Sequence, residues 1–120
     1  MRRLFLVASL LSILSSCYTV PDKTDFTLDV SGNYKAVGDC AWQSFQKMGG
    51  WHKTDLDSMN KVELSFGNDS STAAKIDVLG IGPNQTRIMS YMPVAAWGKN
   101  FWPDKHKPIF EACAHPFTSN

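Results

Sequence analysis

The 120-residue sequence has no large excess of charge of either sign and no apolar run of transmembrane length. Twelve lysines and arginines face eleven aspartates and glutamates, so the formal net charge is +1 at pH 7. Proteins that bind nucleic acid present a basic surface, and this balance therefore argues against a nucleic-acid partner. A membrane-spanning helix needs about 20 apolar residues, and serines interrupt the apolar stretch at residues 4–14.

Motifs that carry catalysis or bind metals are also missing. The chain has no Gly-x-Ser-x-Gly nucleophile elbow, no Cys-x-x-Cys or His-x-x-x-His zinc spacing and no phosphate-binding loop ending in Gly-Lys-Ser/Thr. His52, His106 and His115 all fall in predicted loops. Asp55 and Asp57 flank turn-forming residues, which favours a solvated turn over an acid–base pair. The sequence predicts a protein that is not an enzyme and that uses no cofactor or metal.

The N-terminus has the three parts of an export signal. Arg2 and Arg3 precede the apolar run 4–14, and small residues follow it. The segment Leu14-Ser15-Ser16-Cys17 resembles the lipobox of bacterial lipoproteins, whereas an ordinary secretory site shows an Ala-x-Ala-like pattern. The resemblance implies that the Cys17 thiol receives diacylglycerol, that the chain is cut before Cys17, and that the new amino group is acylated.

This resemblance also implies a domain organisation and a location. Residues 1–16 would be the removed signal peptide, residues 17–24 a lipidated tether, and residues 25–120 a single domain. In lipoproteins of enteric-type bacteria an aspartate after the lipidated cysteine marks inner-membrane retention, and Tyr18 stands there instead. We therefore expect the outer membrane, with the domain facing the periplasm. No polybasic segment follows Cys17, so the acyl chains would hold the protein to the membrane.

The two other cysteines form an even pair. With Cys17 lipidated, Cys40 and Cys113 remain, and an oxidising envelope favours a disulfide between them. A metal site built from cysteines and histidines is the alternative, but its ligand spacing is missing.

The pattern of apolar residues predicts an α+β fold. Strands with alternating apolar residues are predicted over 25–30, 51–56, 61–66, 74–81 and 86–92. An apolar stripe predicts a helix over 35–48, which Gly49-Gly50 would end, and Pro108 predicts the start of a second helix over about 108–114. The expected architecture is a single antiparallel sheet of about five strands with two helices packed on one face, in the order β-α-β-β-β-β-α.

Two groups of residues are candidates for partner binding. The predicted register places Arg87, Met89 and Tyr91 on the outward face of the sheet, and side chains of these types are enriched at interfaces. A register error of one residue would instead place them in the core. The second group is Trp97, Phe101 and Trp102. These residues form either a sugar-stacking or protein-binding lip, or a flap that covers the open end of the core.

The sequence as a whole favours a small, non-enzymatic envelope lipoprotein that acts as a binding or accessory module. Its partner would be another envelope protein or a cell-wall glycan. One alternative is a periplasmic small-molecule binder with a cavity lined by Trp42, Phe45 and Trp97. A third hypothesis, a small hydrolase, requires histidine and carboxylate side chains that converge in a cleft.

Overall fold

A computed structural model describes residues 20–68 and 71–114, which form five strands and two helices in the predicted order. The strands are β1 (Phe26–Ser31), β2 (Trp51–Leu56), β3 (Lys61–Asn68), β4 (Ser71–Gly82) and β5 (Gln85–Tyr91). The helices are α1 (Tyr34–Met48) and α2 (Phe101–Ala112), and a 3₁₀ turn, Asp57–Met59, joins β2 to β3. The lipobox with Cys17 and also His115 lie outside the described residues.

All five strands belong to one antiparallel sheet, in the order β1-β5-β4-β3-β2. The side chains alternate as predicted, with Val62, Ile76 and Ile88 fully buried beneath the helices. The α+β prediction of one five-stranded antiparallel sheet with two helices on one face is confirmed. Neither helix in the described part of the chain is long and apolar enough to span a membrane.

Helix α1 begins and ends at the residues that the sequence indicates. The Asn33 side chain caps its first turn by accepting a hydrogen bond from the Lys35 backbone N–H at 2.9 Å. Gly49, at φ +78°, ends it in a conformation that other residues rarely adopt. The buried stripe of α1 includes Val37 and Phe45, which lie on the sheet.

Helix α2 begins seven residues earlier than predicted. The prediction took Pro108 as the first-turn proline, but Pro103 occupies the first turn and Pro108 lies inside the helix. Since a proline in the first turn sacrifices no internal hydrogen bond, Pro103 fits the role that was assigned to Pro108. The helix continues past Pro108 because Trp102, His106 and Phe110, spaced four residues apart, all pack inward.

Cys40 of α1 and Cys113 at the end of α2 form a disulfide, with their Cα atoms 5.7 Å apart. The pairing that the cysteine count predicts is therefore present in the structure. The bond joins the two helices on the face of the sheet that they cover.

Candidate binding site

One end of the sheet gathers most of the aromatic side chains. At this end β1 and β2 begin, β5 ends, α1 ends and α2 begins, because the strands alternate in direction. The loop of residues 93–100 connects β5 to α2 here. We call this the aromatic end of the domain.

A continuous row of rings runs from the core to the surface at the aromatic end. The distances between successive ring centroids, from the core outward, are Phe110–Phe45 5.7 Å, Phe45–His106 5.1 Å, His106–Trp102 5.5 Å, Trp102–Phe101 4.7 Å and Phe101–Trp97 4.8 Å. These are distances at which aromatic rings attract one another. Phe110 is fully buried, whereas Trp97 is 76% exposed.

An apolar pocket of about 250 Å³ lies beside this row. The last cross-strand row of the sheet's helix-facing side forms part of its wall, because Trp51 pairs with Phe66 and Phe66 pairs with Ala74. Trp102 and His106 of α2 contribute a second wall. His106 is the sole titratable residue among those that line this pocket. Concave, mostly apolar sites with one or two polar groups are typical of ligand pockets.

His106 is an unusual residue to find in this wall. It is only 2% exposed and packs against Phe45, Trp51 and Trp102. Its Nδ1 atom is buried and has no hydrogen-bond partner in the described part of the protein. Burial, together with the smaller effect of the Lys105 charge, lowers the pKa of His106 to about 4. The imidazole is therefore neutral at pH 7, with one ring nitrogen able to donate and the other able to accept.

The unpartnered nitrogen requires a physical explanation. A buried polar atom without a partner costs about 1–3 kcal/mol, and such atoms are few in native proteins. Because Nδ1 has almost no accessible surface, a ligand in the neighbouring pocket would reach it only if the His106 ring shifted.

A second, more open groove of about 540 Å³ lies on the other side of Trp102. Residues 21–26, the loop 93–100 and the first turns of α2 form its walls. Asp25 lines it; burial raises the pKa of Asp25, and the charge of Lys107 opposes that shift. The groove therefore lies between residues 21–26 and the loop before α2.

The three residues of the predicted group, Trp97, Phe101 and Trp102, lie in different environments. Trp102 is half-buried and its Nε1 donates to the Pro93 carbonyl at 3.1 Å, so it covers the core as a flap would. Trp97 is largely exposed, and Phe101 lies between the two rings with the Lys105 ammonium 4.7 Å from its centroid. The exposed ring of Trp97 is therefore accessible to another molecule.

Arg87, Met89 and Tyr91 lie on the sheet face opposite the helices. Thr86, Ile88 and Ser90 are buried beneath the helices instead, so the predicted register is confirmed. Arg87 makes two hydrogen bonds to Asp29, of 2.8 and 3.0 Å. Its guanidinium lowers the pKa of Asp29, chiefly through these bonds. The Lys75 ammonium lies 5.0 Å from the Tyr91 ring centroid. The role of this face in partner binding stays a prediction.

The residues of the two alternative hypotheses do not come together in the described structure. Phe45 is fully buried, Trp42 is half-buried on α1, and Trp97 is exposed on the loop. The 250 Å³ pocket is lined by other residues. His52 contacts the Gly67 carbonyl, while Asp57 pairs with a lysine on α1.

Within residues 20–68 and 71–114, no three His, Cys, Asp or Glu side chains are grouped as a metal site requires. Comparisons with protein-family models, curated proteins and solved structures find no match to this chain.

Proposed function

We propose that this chain is a non-enzymatic lipoprotein of the bacterial envelope, anchored through Cys17 to the outer membrane and facing the periplasm. Its domain binds a small, neutral, largely apolar molecule in the 250 Å³ pocket at the aromatic end. The observation that carries the binding proposal is the apolar pocket itself, with His106 as the one titratable side chain in its wall.

The size and walls of the pocket define the ligand class. An apolar cavity of about 150 Å³ is large enough to bind benzene, so 250 Å³ accommodates a single substituted ring or a short chain. Trp51 and Trp102 offer flat surfaces for stacking. A charged ligand is disfavoured, because the pocket wall offers no ion-pair partner and burying an unpaired charge is costly.

His106 adds selectivity to this class. A ligand with one hydroxyl or N–H group can satisfy a ring nitrogen of the neutral imidazole. A hydrogen bond of this kind contributes about 0.5–1.5 kcal/mol. We therefore expect a phenol-like molecule to bind more tightly than the hydrocarbon of the same shape.

A pair of matched probes tests the binding proposal. The mature lipidated protein is placed in lipid nanodiscs and titrated with p-cresol and with toluene, while the indole N–H signals of Trp51 and Trp102 are followed by NMR. We expect the ratio of the two affinities to fall about two- to tenfold in His106→Phe. Comparing this ratio between proteins cancels the partitioning of each probe into lipid.

Filling the pocket gives the matched control. Ala73 lines the pocket and is half-buried, so Ala73→Leu should abolish the shifts caused by both probes. Ala36→Leu, on the exposed side of α1, should leave them unchanged. The binding proposal is wrong if Ala73→Leu binds both probes as the wild type does, or if the ratio is the same in wild type and His106→Phe.

The anchor is tested separately in growing cells. Labelled palmitate should be incorporated into the wild type and not into Cys17→Ala, since Cys17 supplies the acceptor thiol and the new N-terminus. Equal labelling of both proteins would contradict the lipoprotein proposal without affecting the pocket measurement.

A second candidate function is the binding of an envelope protein or a cell-wall glycan on the helix-free sheet face. The observation in its favour is the half-buried position of Met89 and Tyr91 on a face that no helix covers. A photocrosslinking residue at position 89 should then capture a partner in intact cells, whereas one at position 36 on α1 should not. Identical crosslinks from both positions would argue against this function.

A further inference from the structure

We infer that the loop of residues 93–100 is a second membrane contact, with Val94 and Trp97 entering the headgroup region of the bilayer that holds Cys17. The inference rests on the proposed lipid anchor and adds an orientation to it: the aromatic end of the domain faces the membrane.

The first observation is the exposure of apolar side chains on this loop. Val94 is 96% exposed and Trp97 is 76% exposed, the two highest values among the large hydrophobic residues that the structure describes as exposed. Trp97 is not isolated, because its ring lies 4.8 Å from that of Phe101 at the start of α2. Tryptophan is enriched at membrane–water interfaces, where its apolar ring and its N–H group are both accommodated.

The second observation is the position of the tether. Pro21 and Lys23 line the same groove as Val94 and Gly98, so the chain arriving from the N-terminus runs beside the loop. Only three peptide units separate Cys17 from the first described residue, Val20. They span at most about 11 Å. A lipidated Cys17 therefore keeps this loop close to the bilayer surface.

The third observation is charge. The sequence has no polybasic segment after Cys17, but the fold gathers lysines from distant positions around the loop. Lys23, Lys99 and Lys107 line the groove, and Lys105 lies over the Phe101 ring. The acidic groups of the same region are Asp104, the partly buried Asp25, and Asp22, which is exposed beside Lys23. Lysines near an anionic membrane surface are attracted to it.

Together these observations favour a lipid surface over a protein partner for the loop. Exposed apolar residues flanked by lysines are the features of interfacial membrane contacts. The tether also places the bilayer within reach of the loop, whatever other molecules are present. Since two acyl chains already anchor a protein stably, the loop mainly fixes orientation.

Quenching of tryptophan fluorescence tests the inference. The mature lipidated protein is reconstituted into vesicles of phosphatidylethanolamine and phosphatidylglycerol that contain phospholipids brominated near the headgroup. The chain has four tryptophans, so single substitutions identify the quenched one. Trp97→Phe should lower the quenching at least about twofold, because Trp97 is the tryptophan placed at the interface.

Two further variants make the result specific. Trp42→Phe, on α1 and half-buried, should leave the quenching as in the wild type. Val94→Asp should lower it, and folding is unaffected because Val94 makes almost no buried contact. The inference is overturned if Trp97→Phe and Trp42→Phe give equal quenching.

Vesicle flotation separates this result from failure of the anchor. If the wild type and all variants float with the vesicles but Trp97 is not quenched, the anchor stands and the loop contact is wrong. If the wild type itself does not float, the proposed lipid anchor is wrong and the loop contact is overturned with it.

Discussion

At the scale of single residues, His106 makes the stability of the domain depend on pH. Burial in the folded state lowers its pKa from 6.5 to about 4. Between these two values the unfolded chain takes up a proton at His106 that the folded chain does not. The contribution of neutral His106 to the free energy of unfolding is therefore complete above pH 6.5 and is lost as the pH falls towards 4. It amounts to about 3 kcal/mol at most.

Denaturant unfolding at pH 7 and at pH 4.5 checks this prediction. We expect the free energy of unfolding of the wild type to fall between the two values by more than that of His106→Phe. The difference between the two proteins is the informative quantity, because the raised pKa of Asp25 acts in the opposite sense at the acid end. A wild type and a variant with parallel pH profiles would show that His106 does not titrate differently on folding.

The residues show how far sequence reasoning extends. The outward register of Arg87, Met89 and Tyr91 followed from alternation alone, and the disulfide followed from counting cysteines. The pocket could not be predicted in this way, because Trp51 and His106 are 55 positions apart and meet only when α2 packs on the sheet. One local signal was available: the spacing of four between Trp102, His106 and Phe110 predicts a helix that buries His106.

At the scale of elements, α2 contains a proline that weakens it. Pro108 is exposed and lies inside the helix, where it offers no N–H for the carbonyl of residue 104. Pro108→Ala should raise the free energy of unfolding by about 1–2 kcal/mol, since the gain in helix propensity exceeds the loss of restraint on the unfolded chain. Denaturant unfolding measures the change.

Pro103→Ala is the control for this prediction. Pro103 lies in the first turn, where an N–H has no intrahelical partner, and its ring is buried. This substitution should bring no gain. If both substitutions stabilised the domain equally, the position of Pro108 inside the helix would not be the cause of its effect.

The disulfide acts between elements by joining α1 to α2. It links cysteines 73 positions apart, and in the chain-entropy treatment the closure of such a loop contributes about 4 kcal/mol. The double variant Cys40→Ala, Cys113→Ala should lose about this amount in denaturant unfolding. The wild type measured in reducing buffer should match the variant, and an unchanged midpoint in both would contradict the prediction.

The elements also explain the largest boundary error of the sequence prediction, the start of α2. A proline signals the first turn of a helix, but the segment contains Pro103 and Pro108, and each fits that rule. The choice is made by packing, since starting at Phe101 brings Trp102 over the pocket and His106 against the core. Local propensity contains no information about that gain.

At the scale of the whole molecule, the two ends of the sheet have different roles. The aromatic end contains the pocket, the groove and the segment 21–26, whereas the β4–β5 turn at Pro83 and Asn84 lies at the other end and is exposed. An eight-residue insertion between these two residues should cost only about 1–2 kcal/mol. It should leave p-cresol binding and Trp97 quenching unchanged, as read by NMR and fluorescence. A change in either would show that the two ends are coupled.

The pairing of β1 with β5 has a consequence for the order in which the chain can fold. Phe26 lies opposite Ser90, so the first strand made finds its partner only when nearly the whole polypeptide is present. The hairpins β2–β3, β3–β4 and β4–β5 are local and can assemble earlier. A chain threaded through a channel from its N-terminus therefore emerges with β1 unpaired, and the sheet closes only after β5 has emerged.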